Sequence, residues 1–308
     1  MFDLSIVIPA YNEAESLPEL LLQIQEALLK SQMEYEIIVV DDGSTDQTLE
    51  ILRSLKEQFN TLKVISFRRN YGKSAALSEG FKLASGKYVV TLDADLQDDP
   101  TEIPNLIAKL EEGCDLVSGW KKNRKDPLSK TLPSRIYNFV TSRITGIRLH
   151  DFNCGLKAYR QEVVKDLRIY GELHRFLPVL AHWNGYRIGE LVVKHHPRKY
   201  GKTKFGISRF FHGFFDLMTV LFITRYKSTP LHIFGMMGLL TLFIGLAIEL
   251  YLSIGWFLGE PIRNRPLFFL GILTIIVGIQ FFVFGLMGEM ISANFAERVE
   301  YIIKEKIE

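Results

Sequence analysis

Asp93 and Asp95 are separated by one residue at the end of a predicted strand, in the segment Thr91–Gln97. Where a chain turns out of a sheet, two carboxylates with this spacing can converge on one cation. Hard oxygen ligands suit Mg²⁺ or Mn²⁺, and both ions also bind phosphate oxygens. Such an ion could neutralise a diphosphate leaving group. The alternative is a solvated acidic turn in which Asp98 and Asp99 stabilise the N-terminus of the next helix.

A second acidic turn follows an earlier predicted strand and contains Asp41 and Asp42. Gly43 permits a tight turn, and the polar residues after it can cap the next helix. Capping does not explain two adjacent carboxylates at a strand end, where either could bind a ribose or a base edge. Tyr11 follows the first predicted strand and could stack on a nucleobase, although a packed loop residue is the alternative. The two turns and Tyr11 therefore predict a nucleotide site.

Familiar nucleotide motifs are absent from these turns. The turn after the first strand has no glycine, so the dinucleotide fingerprint is missing. Gly72, Lys73 and Ser74 open a predicted helix and resemble the end of a phosphate-binding P-loop. However, Phe67 stands where that loop requires a glycine. ATP hydrolysis of the P-loop type is therefore not expected.

Two basic segments lie between the acidic turns and the apolar C-terminal region. A charge run is usually a solvated face, but these segments are placed where they could receive a lipid phosphate. Their members are Lys121, Lys122, Arg124, Lys125, Lys130 and Arg135, and then Arg198, Lys199, Lys202 and Lys204.

Apolar runs and helical patterns alternate through the first third of the chain, which predicts a mostly parallel α/β sheet covered on both faces. Ligands of such sheets bind at the carboxyl ends of the strands, where the acidic turns stand. The predicted strands are Leu4–Pro9, Glu36–Val40, Leu62–Phe67, Lys87–Leu92 and Asp115–Gly119. The predicted helices are Ser16–Lys30, Asp46–Gln58, Gly72–Ala84 and Pro100–Glu112.

Two C-terminal stretches, Pro230–Leu258 and Pro266–Ile291, are each long and apolar enough to cross a bilayer. The preceding segment, 205–226, is rich in phenylalanine and predicts an amphipathic interface helix, with a helix packed on the soluble domain as the alternative. The predicted organisation is a catalytic domain at 1–204, an interface helix at 205–227, a transmembrane hairpin at 228–292 and a tail at 293–308. The basic residues flanking the hairpin favour cytoplasmic termini in the plasma membrane.

Composition excludes some classes of function. The 308 residues have a net charge of only +2, so no nucleic-acid partner is expected. Cys114 and Cys154 are the two cysteines, too few for a disulfide framework. The segment that starts at Met1 shows no secretory signal pattern.

The segments Ser5–Glu13, Val40–Asp46 and Asp93–Gln97 together resemble the family 2 glycosyltransferases with a GT-A fold. Within that family the chain resembles polyprenyl-phosphate glycosyltransferases: dolichyl-phosphate mannose synthases and, more closely, bacterial bactoprenol glucosyltransferases. The closer resemblance depends on the segments Leu132–Arg135, Asp151–Arg160, Gly171–Phe176 and Arg198–Phe205, followed by two spans. It covers essentially the whole chain.

The resemblance implies inverting transfer of a sugar, with glucose favoured, from a UDP-sugar to polyprenyl phosphate in a bilayer. The metal would be Mg²⁺ or Mn²⁺, with Asp95 and Asp151 in catalytic roles and a homo-oligomer as the assembly. The implied donor site comprises Pro9, Tyr11, Glu13, Asp41, Asp42, Lys73, Asp93 and Ala94. The implied metal site comprises Asp93, Asp95 and Gln97, and the acceptor-phosphate site comprises Arg124, Arg135, Arg198 and Lys204.

Several competing functions can be compared with the sequence. The donor could instead be GDP-mannose, UDP-N-acetylglucosamine, UDP-galactose or a modified UDP-arabinose. A processive polysaccharide synthase would need more spans, and it would need a glutamine- and arginine-rich motif where this chain has His182–Tyr186. A lipid-linked sugar flippase also conflicts with two spans. A non-catalytic nucleotide-sugar-binding scaffold would need a damaged metal site, yet Asp93, Asp95 and Gln97 are present.

Overall fold

The computed structural model of the chain describes residues 2–29, 31–122, 138–197, 199–200, 219, 230–259, 261 and 266–296. The chain divides into two compact units, Met1–Val220 and Leu221–Glu308. The acceptor-phosphate candidates and all of the predicted interface helix except Thr219 lie outside the described residues, so those predictions stay predictions. The candidates concerned are Arg124, Arg135, Arg198 and Lys204.

The first unit is built on a seven-stranded sheet in the order β3-β2-β1-β4-β6-β5-β7. Strand β6 is antiparallel to β4 and β5, and the other described pairings are parallel. The strands are β1 Leu4–Ala10, β2 Tyr35–Asp41, β3 Leu62–Ser66, β4 Tyr88–Thr91, β5 Leu116–Trp120, β6 Lys157–Arg160 and β7 Ile188–Val192.

Helices pack against the sheet because their apolar residues recur at helical spacing and so form one apolar face. In helix α1 the buried residues Leu17, Leu20, Leu21, Ile24 and Leu28 form one stripe that packs into the core. The central strands are buried on both faces, as parallel strands covered by helices must be. The helices are α1 Leu17–Leu28, α2 Thr48–Gln58, α3 Lys73–Leu83, α4 Ile103–Glu111, α5 138–145, α6 Gln161–Asp166 and α7 Leu177–Trp183.

The mostly parallel α/β sheet predicted from the sequence is confirmed, and its first five strands occur close to their predicted positions. The sequence did not predict β6 and β7. Strand β6 has four residues and β7 has five, and β7 is only half-buried, so neither carries a strong periodic signal. Insertion of β6 places the segment before it, which contains Asp151, next to β4 and the acidic turn that follows β4.

A buried carboxylate joins three segments at the amino end of the sheet. Glu36 accepts hydrogen bonds from the Ser5 hydroxyl at 2.6 Å and from the Ser85 N–H at 2.8 Å. It also forms an ion pair with Lys63. Burial raises the pKa of Glu36, but the Lys63 ammonium and these hydrogen bonds outweigh it and hold the pKa below its usual value.

The second unit contains two helices that are long and apolar enough to cross a membrane, α8 Pro230–Phe257 and α9 Pro266–Ala296. They lie against each other closely, because a Cβ at Gly238 would stand 2.8 Å from the Gly278 carbonyl oxygen. The N–H of Leu231, at the start of α8, donates to the Glu289 carboxylate at 3.2 Å. The hairpin therefore satisfies part of its own backbone polarity, as hydrocarbon surroundings require.

We expect Glu36→Gln to destabilise the first unit by about 1–3 kcal/mol at pH 7, since buried donors lose a charged acceptor. Folding lowers the pKa of Glu36, so its stabilisation is present above the unfolded-state pKa and is lost as pH falls through the folded-state pKa. The thermal midpoint of the detergent-solubilised chain, measured from pH 7 down to well below the usual glutamate pKa of about 4.3, reports this difference. Exposed Glu57→Gln is the control, and equal midpoints for the two variants at pH 7 would contradict the assignment.

Candidate active site

An open cleft of about 320 Å³ lies where β1, β2 and β4 reach their carboxyl ends. The strand register places Val7 beside Thr91 and Ala10 beside Asp41, so the loops after these strands meet at one edge. We call this the outer cleft. It is lined by Pro9, Ala10, Tyr11, Glu13, Asp42, Asn70, Gly72, Lys73, Asp93, Ala94 and Asp95.

The loop after β4 has an unusual backbone. Leu96 is buried and has a φ of 59°, a left-handed conformation that is strained for a leucine. Asp95 Oδ1 accepts the N–H of Gln97 at 3.2 Å, and the Gln97 carbonyl accepts the N–H of His196 at 2.9 Å. The fold therefore enforces a turn that places Asp93 and Asp95 together in the lining of the outer cleft.

Asp93 is surrounded by cationic side chains. It forms an ion pair with Lys73, the first residue of α3. Burial raises the pKa of Asp93, but Lys73, Lys121 and Lys157 together lower it to about 2. The side chain is consequently ionised at neutral pH. Gly155 allows the neighbouring loop to approach, because a Cβ there would lie 2.4 Å from Asp93 Oδ2.

The donor set at this turn fits a phosphate-bound Mg²⁺ or Mn²⁺. In the described part of the chain, no three histidine, cysteine, aspartate or glutamate side chains form a metal cage. Mg²⁺ commonly uses one or two carboxylates and takes the remaining ligands from water and substrate phosphates. Asp93 and Asp95 match that pattern and suit the predicted ion, whereas Gln97 is outside the lining of the outer cleft and its amide nitrogen donates to the His196 carbonyl at 3.5 Å.

Asp41 and Asp42 are both engaged by protein groups. Asp42 accepts the N–H of Tyr71 at 2.7 Å and that of Gly72 at 2.9 Å, which fixes the loop leading to Lys73. Asp41 is buried, and it accepts the Ser44 N–H and the Ser66 hydroxyl. Only Asp42 of the two lines the outer cleft. Part of what these carboxylates do is therefore to hold loops, which the sequence did not reveal.

The loop after β1 is fixed by polar contacts to the loop after β2. Asn12 has a φ of 57°, and its side-chain oxygen accepts the N–H of Thr45 at 2.8 Å. The Glu13 carboxylate accepts a hydrogen bond from the Ser16 hydroxyl at 2.6 Å, and the backbone N–H of Glu13 donates to the Thr48 hydroxyl at 3.0 Å. Pro9, Tyr11 and Glu13 thus reach the outer cleft on a loop with a defined conformation.

A smaller, more enclosed cavity of about 140 Å³ adjoins the outer cleft. We call it the inner cavity. It shares Pro9, Lys73 and Asp93 with the outer cleft, so the two spaces adjoin at the Asp93–Lys73 pair. The rest of its lining is Leu77, Thr91, Phe152, Asn153, Cys154, Gly155, Lys157, Tyr159, His174, Arg175 and Leu177.

Asp151 is buried on the loop that leads into the inner cavity, and it lines neither of the two spaces. The sequence did not predict how this loop is held. The Glu190 carboxylate of β7 accepts the N–H groups of His150 at 2.7 Å and Asp151 at 3.1 Å. The His150 ring contacts the same carboxylate at 2.7 Å and stacks on Trp120 at 4.0 Å. Glu190 therefore orients the Asp151 loop from 39 residues away.

His174 connects the cavity wall to α3. The Ser74 hydroxyl oxygen accepts the backbone N–H of His174 at 3.1 Å and lies 3.0 Å from the ring Nδ1 of the same residue. Burial lowers the pKa of His174 to about 2, and Lys73 and Arg175 contribute to the shift. The two contacts tie the wall of the inner cavity to the start of α3.

The profile of the family described as "Glycosyl transferase family 2" matches residues 5–168, more than half of the chain. This chain belongs to glycosyl transferase family 2. The match includes the whole outer cleft, so the carboxylates of the acidic turns lie within the glycosyltransferase domain. The predicted family and enzyme class are confirmed.

Two relatives extend the similarity to nearly the full chain. Dodecaprenyl-phosphate galacturonate synthase of Rhizobium johnstonii is 40% identical over 299 residues, covering 95% of this chain and 88% of its own length. Undecaprenyl-phosphate 4-deoxy-4-formamido-L-arabinose transferase of Pseudomonas fluorescens is 36% identical over 294 residues, covering 95% of this chain and 86% of its own length. Both names describe sugar transfer involving a polyprenyl phosphate, and neither names glucose.

Solved structures confirm the GT-A fold of this family 2 glycosyltransferase. Glucosyl-3-phosphoglycerate synthase of Mycobacterium tuberculosis, in complex with Mn²⁺ and UDP-glucose, superposes with a TM-score of 0.55 at 21% identity. The superposition covers 72% of this chain and 78% of that protein. At this identity the likeness establishes the fold alone.

We expect Asp95→Asn to weaken Mn²⁺ binding in the presence of UDP by at least about tenfold, because a hard anionic ligand is lost. Titration of Mn²⁺ followed by electron paramagnetic resonance measures the effect. The control is Asp3→Asn, an exposed aspartate just before β1 at the other end of the sheet. Unchanged Mn²⁺ affinity for Asp95→Asn would remove this carboxylate from the metal site.

Proposed function

We propose that this family 2 enzyme transfers a sugar from a UDP-sugar to a polyprenyl phosphate, with inversion at the anomeric carbon. The observation that carries the proposal is the paired carboxylates of the outer cleft in a chain that also has two helices able to span a membrane. The named activities of the two full-length relatives support the lipid acceptor. The Mn²⁺ and UDP-glucose of the mycobacterial structure support the donor class.

In the proposed reaction, an oxygen of the lipid phosphate bonds to the anomeric carbon while the bond from that carbon to UDP breaks. UDP leaves with the electron pair. A phosphate monoester has a second pKa of about 6, so near neutral pH much of the acceptor is already dianionic. A strong general base is therefore unnecessary, and positioning of the anions dominates the chemistry.

The chain's own residues then have defined tasks. Asp93, Asp95 and Gln97 would hold Mg²⁺ or Mn²⁺, which supplies positive charge to the diphosphate. Pro9, Tyr11, Glu13 and Asp42 would receive the uridine, and Lys73 and Ala94 would border the diphosphate. Asp41 would hold the loops around the nucleotide. Arg124, Arg135, Arg198 and Lys204 would bind the acceptor phosphate.

The membrane unit supplies access to the acceptor. A polyprenyl chain is insoluble in water, so the enzyme must reach its acceptor at a bilayer. Helices α8 and α9 would anchor the chain in the plasma membrane, with both termini and the catalytic domain cytoplasmic. Association into a homo-oligomer remains a prediction.

The donor sugar is the least constrained part of the proposal. The sequence favoured glucose, whereas the two relatives are named for galacturonate and for a modified arabinose. Discrimination between such sugars depends on a small number of polar contacts. The proposed donor is therefore a UDP-sugar, and glucose is one of several candidates for the sugar.

The decisive assay supplies purified protein in detergent with radiolabelled UDP- and GDP-sugars, polyprenyl phosphate and Mg²⁺ or Mn²⁺. We expect label to enter the organic phase from one UDP-sugar class, and to be lost with EDTA and in Asp95→Asn but not in Asp3→Asn. Nucleotide-sugar binding without transfer from any donor would instead support the non-catalytic scaffold.

We expect Asp151→Asn to lower kcat by less than about 100-fold, the lower bound typical of a lost general base, because this residue orients and does not abstract a proton. Glu190→Gln should also lower kcat, because it releases the Asp151 loop, and it should leave the KM for the donor unchanged. The kinetics are measured with saturating lipid acceptor, and exposed Glu162→Gln is the control. Abolished turnover in Asp151→Asn with intact acceptor affinity would show that a base is required.

A further inference from the structure

Lys157 is a buried cation in the inner cavity. Its residue is 3% exposed, and its Nζ donates to the carbonyl oxygen of Cys154. In the described part of the chain, no carboxylate lies within ion-pair distance of this ammonium. Burial lowers the pKa of Lys157, and Lys73 lowers it further, while Cys154, Asp151 and Asp93 act in the opposite direction. These charges compensate only part of the cost of burying an ammonium that has no ion pair, so the site favours the arrival of an anion.

The inner cavity has more positive than negative side chains. Lys73, Lys157 and Arg175 line it, while Asp93 is its lining carboxylate. Lys73 is paired with Asp93, and Arg175 is 3.0 Å from Glu172, which lies outside the cavity lining. Lys157 is therefore the cation of this lining that has no ion pair in the described residues, while Arg175 adds positive charge beside it.

The cavity also offers a polar group that can bind oxygen atoms. The Tyr159 side chain is fully buried, and its hydroxyl, next to Thr91, has no hydrogen-bond partner of normal geometry in the described residues. Phe152, Leu77 and Leu177 provide apolar walls. Convergent polar groups beside a few apolar walls are typical of a small-molecule subsite.

Position and size favour the sugar as the occupant. The inner cavity adjoins the outer cleft at the Asp93–Lys73 pair, so a group attached to a diphosphate at that pair would be within reach of it. Its 140 Å³ corresponds to about five water molecules, at roughly 30 Å³ each, so it could enclose part of one sugar ring and has no room for a lipid chain.

We propose that the inner cavity binds a donor sugar that carries a carboxylate, a hexuronate, and that Lys157 and Arg175 recognise this carboxylate. The inference rests on the proposed UDP-sugar donor and adds its chemical class. The diphosphate is served by Lys73 and the metal carboxylates, so it does not require Lys157. The galacturonate named for the 40%-identical relative is a sugar of this class.

The test compares UDP-galacturonate and UDP-glucuronate with UDP-galactose and UDP-glucose. For the wild-type protein we expect kcat/KM to be at least about 100-fold higher with one of the uronates than with its neutral counterpart, because a buried charged partner would otherwise stay unpaired. Equal or better transfer from a neutral hexose would overturn the inference.

Lys157→Met removes the charge at nearly constant side-chain length. We expect it to reduce the uronate-to-hexose ratio of kcat/KM at least about tenfold, mainly by lowering the uronate value. Lys157→Arg should restore part of the ratio, and exposed Lys165→Met is the control. UDP and Mn²⁺ affinities verify that each variant is folded. An equal loss on all four donors would assign Lys157 to structure or to the diphosphate, against the inference.

Displacement of a fluorescent UDP by the four donors separates this inference from the proposed function. If no donor labels the lipid but UDP-hexuronate still binds at least about tenfold more tightly than UDP-hexose, the lipid acceptor is wrong and the uronate subsite is supported. If lipid is labelled but neither binding nor transfer prefers a uronate, the proposed function holds and the uronate subsite is wrong.

Discussion

The ion pair between Lys73 and Asp93 is the contact on which the rest of the site depends. It joins the first residue of α3 to the loop after β4, and it forms the boundary between the outer cleft and the inner cavity. Asp42 holds the loop just before Lys73 through two backbone N–H groups. Gly43 permits this arrangement, because a Cβ there would lie 2.3 Å from the Arg69 backbone. Together these contacts fix the position of one cation relative to the paired carboxylates.

Backbone strain fixes the second carboxylate. A left-handed Leu96 persists only where surrounding contacts outweigh its cost, on the order of 1–3 kcal/mol. Those contacts are the burial of Leu96 and the hydrogen bond that the neighbouring Gln97 carbonyl accepts from His196. The segment after β7 thus stabilises a turn that β4 alone could not hold. Precision in the position of Asp95 comes from a part of the chain about 100 residues away.

Sequence patterns predicted what depends on local order. Apolar runs and helical periodicity located five strands and the helices around them, and the rule for parallel sheets located the acidic turns at one edge. Contacts between distant segments carry no such pattern. The hold of Glu190 on the Asp151 loop, the pairing of the short strand β6 and the burial of Lys157 follow from tertiary packing. The sequence accordingly identified candidate residues but not which of them face a ligand and which hold a loop.

The same electrostatics explain how the site can be stable before substrate arrives and receptive afterwards. Two carboxylates one residue apart repel each other, and Lys73 offsets that repulsion while no cation is bound. A divalent ion at Asp93 and Asp95 would take over this task, which leaves the Lys73 ammonium able to turn to a diphosphate oxygen. Lys157 has no ion-paired carboxylate in the described residues, and Asp93 and Asp151 offset its charge only in part, so an anion in the inner cavity would complete the balance. Lys73 can exchange its carboxylate for the donor's diphosphate, whereas Lys157 has no ion pair in the described residues. The first lysine therefore selects for the diphosphate, and the second discriminates among the sugars.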